Sequence, residues 1–175
     1  MARVLVGLGS NVGDREAALA GARDSLGALL DTRIAGVSSL FETEPWGRRD
    51  QPASLNMAVL LETALPPRAL LDMCRAIESR LGRVPGERWG PRVIDLDLIL
   101  WDALVMNEET LTLPHPAFRE RRFVLVPAAE IAAGTRDPVT RLTLGELLAR
   151  CGDQSLVTPW PGGVQAGRPP PGADR

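Results

Sequence analysis

Apolar residues recur along the chain with two periods, near two and near three to four, and the switches between them predict its elements. Arg3 to Leu8 is apolar and β-branched and reads as a first strand. Gly9 to Asp14 is a turn in which Asn11 or Asp14 is placed to cap a helix. Leu19, Ala22, Leu26, Leu29 and Leu30 follow at helical spacing, predicting a helix of about four turns. Ile34 to Phe41 reads as a second strand, and Glu42 to Ala53 as a polar loop. Leu55 to Glu62 is apolar on both faces, which predicts a central strand. Pro66 and Pro67 open a second helix with the apolar stripe Leu70, Cys74, Ile77 and Leu81, and Gly82 ends it. A loop from Arg83 to Arg92 leads into a fourth long strand, Val93 to Trp101. A short hairpin-like stretch follows. Phe118 to Ile131 reads as mostly helical, with Pro127 expected to interrupt or end a segment, and Leu144 to Cys151 as a short last helix.

The order strand, helix, strand, strand, helix, strand predicts an α+β fold. It is the ferredoxin-like arrangement, an antiparallel sheet flanked by helices in α/β/α layers. With 175 residues the chain is expected to form one domain over 1–158, followed by a Pro- and Gly-rich tail over 159–175. No apolar run is long enough to span a membrane, and the N-terminus enters a strand without a signal-peptide pattern. Cys74 and Cys151 form no metal-ligand spacing, and Cys74, on a helical apolar stripe, reads as a buried free thiol. A reducing cytoplasm and a monomer are the expectations.

Composition removes several mechanisms. All 20 basic residues are arginine, so a Walker A lysine, a Schiff-base lysine and a serine–lysine dyad are excluded. The single histidine, His115, excludes multi-histidine zinc sites, and no Gly-x-Ser-x-Gly elbow is present. A net charge of −2 argues against a nucleic-acid partner. Gly7 to Gly13 has the wrong spacing for a dinucleotide fingerprint and no Gly-Lys-Ser/Thr follows, so it reads as a tight strand-to-helix turn.

What remains is concentrated in one stretch. On a strand, Asp95 and Asp97 share a face, with Cα atoms about 6.5–7 Å apart, while Ile94, Leu96, Leu98 and Leu100 take the other. Two carboxylates on an apolar strand are costly unless compensated. A solvated edge, or pairing with Arg92, is the ordinary arrangement for the tripeptide alone. The apolar flanks and the nearby arginines favour a hard divalent cation, and oxygen-only ligands suit Mg²⁺. Arg83 and Arg92 bracket a Gly- and Pro-containing loop that also carries Trp89, and guanidinium groups beside metal-binding carboxylates point to nucleoside triphosphate chemistry. Anion binding without catalysis and metal-dependent phosphate hydrolysis are the competing classes.

The string Arg88, Trp89, Gly90, Pro91, Arg92, then Asp95, Leu96 and Asp97 resembles the hydroxymethyl-dihydropterin pyrophosphokinase family of folate biosynthesis. Supporting pieces are Gly7 to Asn11, Phe41 to Gly47, Asp50 to Pro52, Leu55 to Val59, Ile77 and Glu78 with Leu81 to Arg83, and Pro114 to Pro116 with Arg121 and Phe123. The resemblance implies transfer of pyrophosphate from ATP to the hydroxymethyl group of a dihydropterin, releasing AMP. It implies that Asp95 and Asp97 hold two Mg²⁺ ions and that Arg83 and Arg92 steady the triphosphate. By the same resemblance Arg75, Glu78, Trp89, Thr112, His115 and Arg121 contact ATP, and Thr43, Glu44, Trp46, Asn56 and Phe123 hold the pterin. Two departures stand out. Ser54 occupies a position where the family carries an aromatic residue, and the loop from Arg83 to Arg88 is one residue shorter than in some members, with Pro85 near a usual basic residue.

Overall fold

The computed structural model describes residues 1–45, 50–86 and 90–161. Strand β1 (Ala2–Ser10) lies antiparallel between β4 (Ser54–Thr63) and β5 (Asp95–Trp101), so among the described residues β5 is an edge. The other side of β4 is shared by two short strands, β2 (Thr32–Val37) and β3 (Phe41–Thr43), and β8 (Val157–Pro159) extends the sheet beyond β3. β6 (Met106–Asn107) and β7 (Thr112–Leu113) form the separate hairpin. The order β5, β1, β4, β2 is the ferredoxin-like one, and every pairing is antiparallel.

Helices α1 (Arg15–Gly27) and α2 (Pro67–Arg80) cover one face of the sheet; α3 (Arg122–Ala132) and α4 (Leu144–Arg150) cover the other. Alternation along the strands feeds two cores. Val4, Val6, Leu55, Val59 and Leu61 meet Leu19, Leu26, Leu70 and Ile77 on the first face. Leu5, Ala58 and Ile99 meet Leu125, Ala128 and Leu147 on the second. β4 is buried on both faces, as its apolar run predicts. Each fully buried leucine or valine contributes about 1.5–3 kcal/mol, so burial of this double core is the main source of stability. Asp14 caps α1 by accepting from Ala17 N–H at 3.0 Å, Pro67 sits in the first turn of α2, and Gly82 beyond its end has φ +99°. Cys74 is buried among apolar groups, which push its thiol up to about 12.

Several sequence expectations need correction. The segment 34–41 is not one strand. Ser38 breaks it by accepting Ala58 N–H on its hydroxyl at 2.8 Å, and its own N–H donates to the Ala58 carbonyl. Leu30 lies beyond the end of α1 and is 80% exposed. Leu100 does not share a face with Leu98. The β1–β5 register shifts between Leu5 and Val6, pairing Leu5 with Leu100 but Val6 with Leu98, so Leu100 turns into the second core. Pro127 sits inside α3 without ending it, because the flanking Leu125 and Ala128 are buried against the sheet. That burial outweighs the roughly 3 kcal/mol a helix-interior proline costs. The stretch before it is a separate 3₁₀ turn, Phe118–Glu120.

The tail expected to be loose begins as structure. Val157–Pro159 is a strand, and Trp160 packs on the first core. Residues 162–175 lie outside the described residues.

Candidate active site

Because β5 is an edge strand, its outer backbone groups are open to chain from both helical layers. From the α2 side, Glu78 accepts Leu96 N–H at 2.7 Å, replacing the missing neighbour strand. The same Glu78 oxygen lies 2.6 Å from Arg83 Nη1, which also donates to Asp95 Oδ1 at 2.9 Å. Arg92 Nη1 reaches Asp95 Oδ1 at 3.5 Å. Burial pushes the Glu78 carboxyl up, while Leu96 N–H and Arg83 oppose that rise. Further along the edge, His115 N–H donates to the Ile99 carbonyl at 2.9 Å. His115 Nδ1 accepts Ala117 N–H at 3.1 Å, which leaves the proton on Nε2. Burial, then the Arg121 charge, push this imidazole down to about 4, so it is neutral at physiological pH.

Asp95 and Asp97 lie on one face, opposite Gly9 and Gly7 of β1. Asp97 differs from Asp95 in having no arginine within salt-bridge distance among the described residues. Burial and the Asp95 charge push it up to about 7, only partly offset by Arg121 and Arg83. Among the described residues no group of three carboxylate, imidazole or thiol side chains converges here.

The same face continues across β1 to β4 and β3. Asn56 pairs with Gly9 on one side and Phe41 on the other. Asn56 Nδ2 donates to Thr43 Oγ1 at 2.8 Å, and Thr43 Oγ1 lies 3.2 Å from Ser54 Oγ. Gly9 makes room for that amide, since a Cβ there would lie 2.8 Å from Asn56 Oδ1. The start of α3 brings Arg121 and Phe123 together, the guanidinium 5.8 Å from the ring centre.

These groups surround one cleft of about 840 Å³, at the upper end of the range for small-molecule sites. Arg75, Glu78, Arg83 and Arg92 line it from the α2 side and the loop after it. Asp95 and Asp97 lie along β5, with Thr112, His115, Arg121 and Phe123 beside them, and Asn56 and Ser54 form the far wall. Thr43 is buried behind Asn56, and Glu44 is exposed outside the lining. Trp46 and Trp89 lie outside the described residues.

The supporting contacts of three residues escape sequence reasoning. Asn11 is not the helix cap. Its Oδ1 accepts Arg92 N–H at 2.7 Å, its own N–H donates to the Arg92 carbonyl, and its amide reaches Gln51 at 3.2 Å. Gly9 matters through Asn56, 47 positions away. Arg15, at the start of α1, donates to both Glu42 and Ala53. Its only local signal is a cation placed against the helix dipole.

A family model for 7,8-dihydro-6-hydroxymethylpterin-pyrophosphokinase (HPPK) matches residues 5–133. A 2-amino-4-hydroxy-6-hydroxymethyldihydropteridine pyrophosphokinase of Methylorubrum extorquens is 50% identical over 132 residues, covering 75% of this chain and 84% of that protein. The Bacillus subtilis protein of the same name is 46% identical over 126 residues, covering 72% and 75%. Among solved structures, Plasmodium falciparum HPPK-DHPS matches with a TM-score of 0.68 at 12% identity, over 85% of this chain and 44% of that one. That likeness bears on the fold alone.

Proposed function

The chain belongs to the 7,8-dihydro-6-hydroxymethylpterin-pyrophosphokinase family of folate biosynthesis, and from this we propose how its cleft is divided between two substrates. The reaction moves the pyrophosphoryl group of ATP to the hydroxymethyl oxygen of 6-hydroxymethyl-7,8-dihydropterin and releases AMP. ATP takes the β5 edge. Arg83 and Arg92, which already converge on Asp95, supply guanidinium charge for the triphosphate. Arg75, Glu78, Thr112, His115 and Arg121 bind the nucleotide, and neutral His115 offers it Nε2–H. The pterin takes the opposite wall. Asn56 presents the donor and acceptor a pterin edge requires, Thr43 holds the Asn56 amide, and Phe123 gives a flat face for stacking. Trp89 for ATP, and Glu44 and Trp46 for the pterin, complete the assignment on family resemblance.

The residues present fit Mg²⁺, and two ions are the proposed complement. The fit rests on the donor set: two carboxylates on one face of β5, one of them pushed up to about 7 by desolvation and by the charge of the other. Mg²⁺ characteristically takes one or two protein carboxylates and completes its shell with phosphates and water. The chemistry it supplies in such a site is neutralisation of phosphate charge. The protein's own residues orient the two substrates for the transfer. A cytoplasmic monomer is the proposed setting; among the described residues no helix is long and apolar enough to cross a membrane.

The observation that carries this division is the placement of Asp95 and Asp97 between an arginine-lined edge and the Asn56–Thr43 wall. The direct test supplies ATP, Mg²⁺ and 6-hydroxymethyl-7,8-dihydropterin and identifies the nucleotide product. AMP, formed only with both Mg²⁺ and pterin present, is expected. ADP as product, or ATP cleavage without pterin, would exclude it.

A further inference from the structure

The chain's C-terminal strand ends beside the wall assigned to the pterin. β8 pairs with the whole of β3, Pro159 opposite Phe41 and Val157 opposite Thr43, and Trp160 N–H donates to the Leu40 carbonyl at 2.9 Å. The Trp160 indole packs on the first core, donates its Nε1–H to Glu16, and stacks with the Arg15 guanidinium at 5.0 Å. That guanidinium also makes two hydrogen bonds. Nη1 donates to the Ala53 carbonyl at 2.9 Å and Nη2 to Glu42 Oε2 at 2.9 Å. Glu42 precedes Thr43, and Ala53 precedes Ser54. One cation therefore ties β3, at Glu42, to Ala53 at the entry to β4, and Trp160 stacks on it.

The placement is not explained by helix stability. Arginine at the first residue of a helix opposes the dipole, so its tertiary contacts must account for it. β3 is only three residues long and is held by its two ladders and this cation. Thr43 in turn fixes the Asn56 amide at 2.8 Å.

We infer that Trp160 and Arg15 form a clamp that positions Thr43 and Asn56, making both positioning residues for pterin affinity. Neither touches the substrate cleft: the path runs from Trp160 through Arg15 and Glu42 to β3, and from Thr43 to Asn56. The inference rests on the assignment of the Asn56 wall to the pterin. Small displacements of a binding group are enough to weaken a site that depends on a preorganised donor and acceptor.

The test uses the full chain with Trp160→Ala, Trp160→Phe and Arg15→Gln. In Trp160→Ala and Arg15→Gln the KM for the pterin is expected to rise about fivefold while the KM for ATP stays put. Trp160→Phe keeps a ring over Arg15 and is expected to recover most of the loss. Amide hydrogen exchange, measured without substrate, is expected to quicken in Phe41–Thr43 and at Asn56 but not in β5. A pterin KM that does not move, or that rises together with that of ATP, overturns the inference. Unchanged exchange in β3 overturns the clamp even if the pterin wall is correctly assigned. A wild-type protein that does not turn over the pterin removes the wall assignment itself, and the inference with it.

Discussion

Asp95 and Asp97 stand two residues apart on one face of one strand, yet their surroundings differ. Arg83 and Arg92 close on Asp95, whereas Asp97 is desolvated beside the Asp95 charge, with Arg121 and Arg83 only partly offsetting it. The folded-state pKa of Asp97, about 7, lies above its ordinary 3.8. Between those values the native state holds more protons than the unfolded chain, so ionisation of Asp97 lowers stability as pH rises through that window. Asp97→Asn removes the cost. In metal-free protein it should raise the melting temperature by about 2–4 °C at roughly pH 8, and the gain should shrink towards roughly pH 5, where Asp97 is protonated. On the metal role proposed for Asp97, the same variant should lose at least about a hundredfold in kcat, because metal stabilisation of the transition state is worth several kcal/mol. Thermal melting across pH, with steady-state kinetics, checks both. Loss of stability at alkaline pH, or near-normal kcat, would contradict the assignment.

At the scale of elements, the contact that matters most for the site is between α2 and the edge of β5. Glu78 is 7% exposed and serves two ends, the Leu96 N–H of the edge strand and the Arg83 guanidinium. Glu78→Ala would leave a buried backbone donor unpaired, at a cost of about 1–3 kcal/mol. Glu78→Gln keeps an acceptor for Leu96 but loses the charge that holds Arg83. Urea denaturation should therefore separate the two variants, while both should show reduced kcat; equal stability of the two would mean that the Leu96 bond is not what Glu78 supplies. The periodic patterns locate α2 and β5 because those patterns are local. They do not reveal that Glu78 faces an unpaired edge, since an edge is a property of sheet order. The bulge that turns Leu100 to the second core is likewise a property of the pair β1 and β5. The persistence of α3 through Pro127 is decided by burial of its neighbours, against the local preference.

On the scale of the whole molecule, the second helical layer is tied down away from the cleft. Asp137 is fully buried and accepts Arg119 Nε at 2.6 Å and Nη2 at 2.9 Å, together with the Val139 N–H and the Thr140 hydroxyl. Burial alone would raise its pKa, but Arg119 and these donors pull it down to about 2. With the folded value below the unfolded one, this contribution is present above about pH 4 and is lost as pH falls through about 2. Arg119→Ala leaves the carboxylate buried without its cation and should cost about 3–5 kcal/mol, with both KM values unchanged. Denaturant titration at neutral pH measures the loss, and a shift in either KM would show that this tie reaches the cleft.

The sequence by itself determined which residues could carry the chemistry. The absence of lysine, the single histidine, the alternation that puts Asp95 and Asp97 on one face and the Trp-Gly-Pro-Arg motif are all readable within short stretches, and the motif pointed to the family that the relatives then showed. Element order gave the ferredoxin-like arrangement for the same reason, because each helix and strand announces itself by its own period. The tertiary structure alone decided which distant residues support the site. Gly9 makes room for Asn56, Asn11 binds Arg92 and Gln51, and Trp160 reaches Arg15 from the far end of the chain. Such contacts have no sequence signature, because they follow from strand register and layer packing, which bring together residues whose local sequences carry no trace of one another.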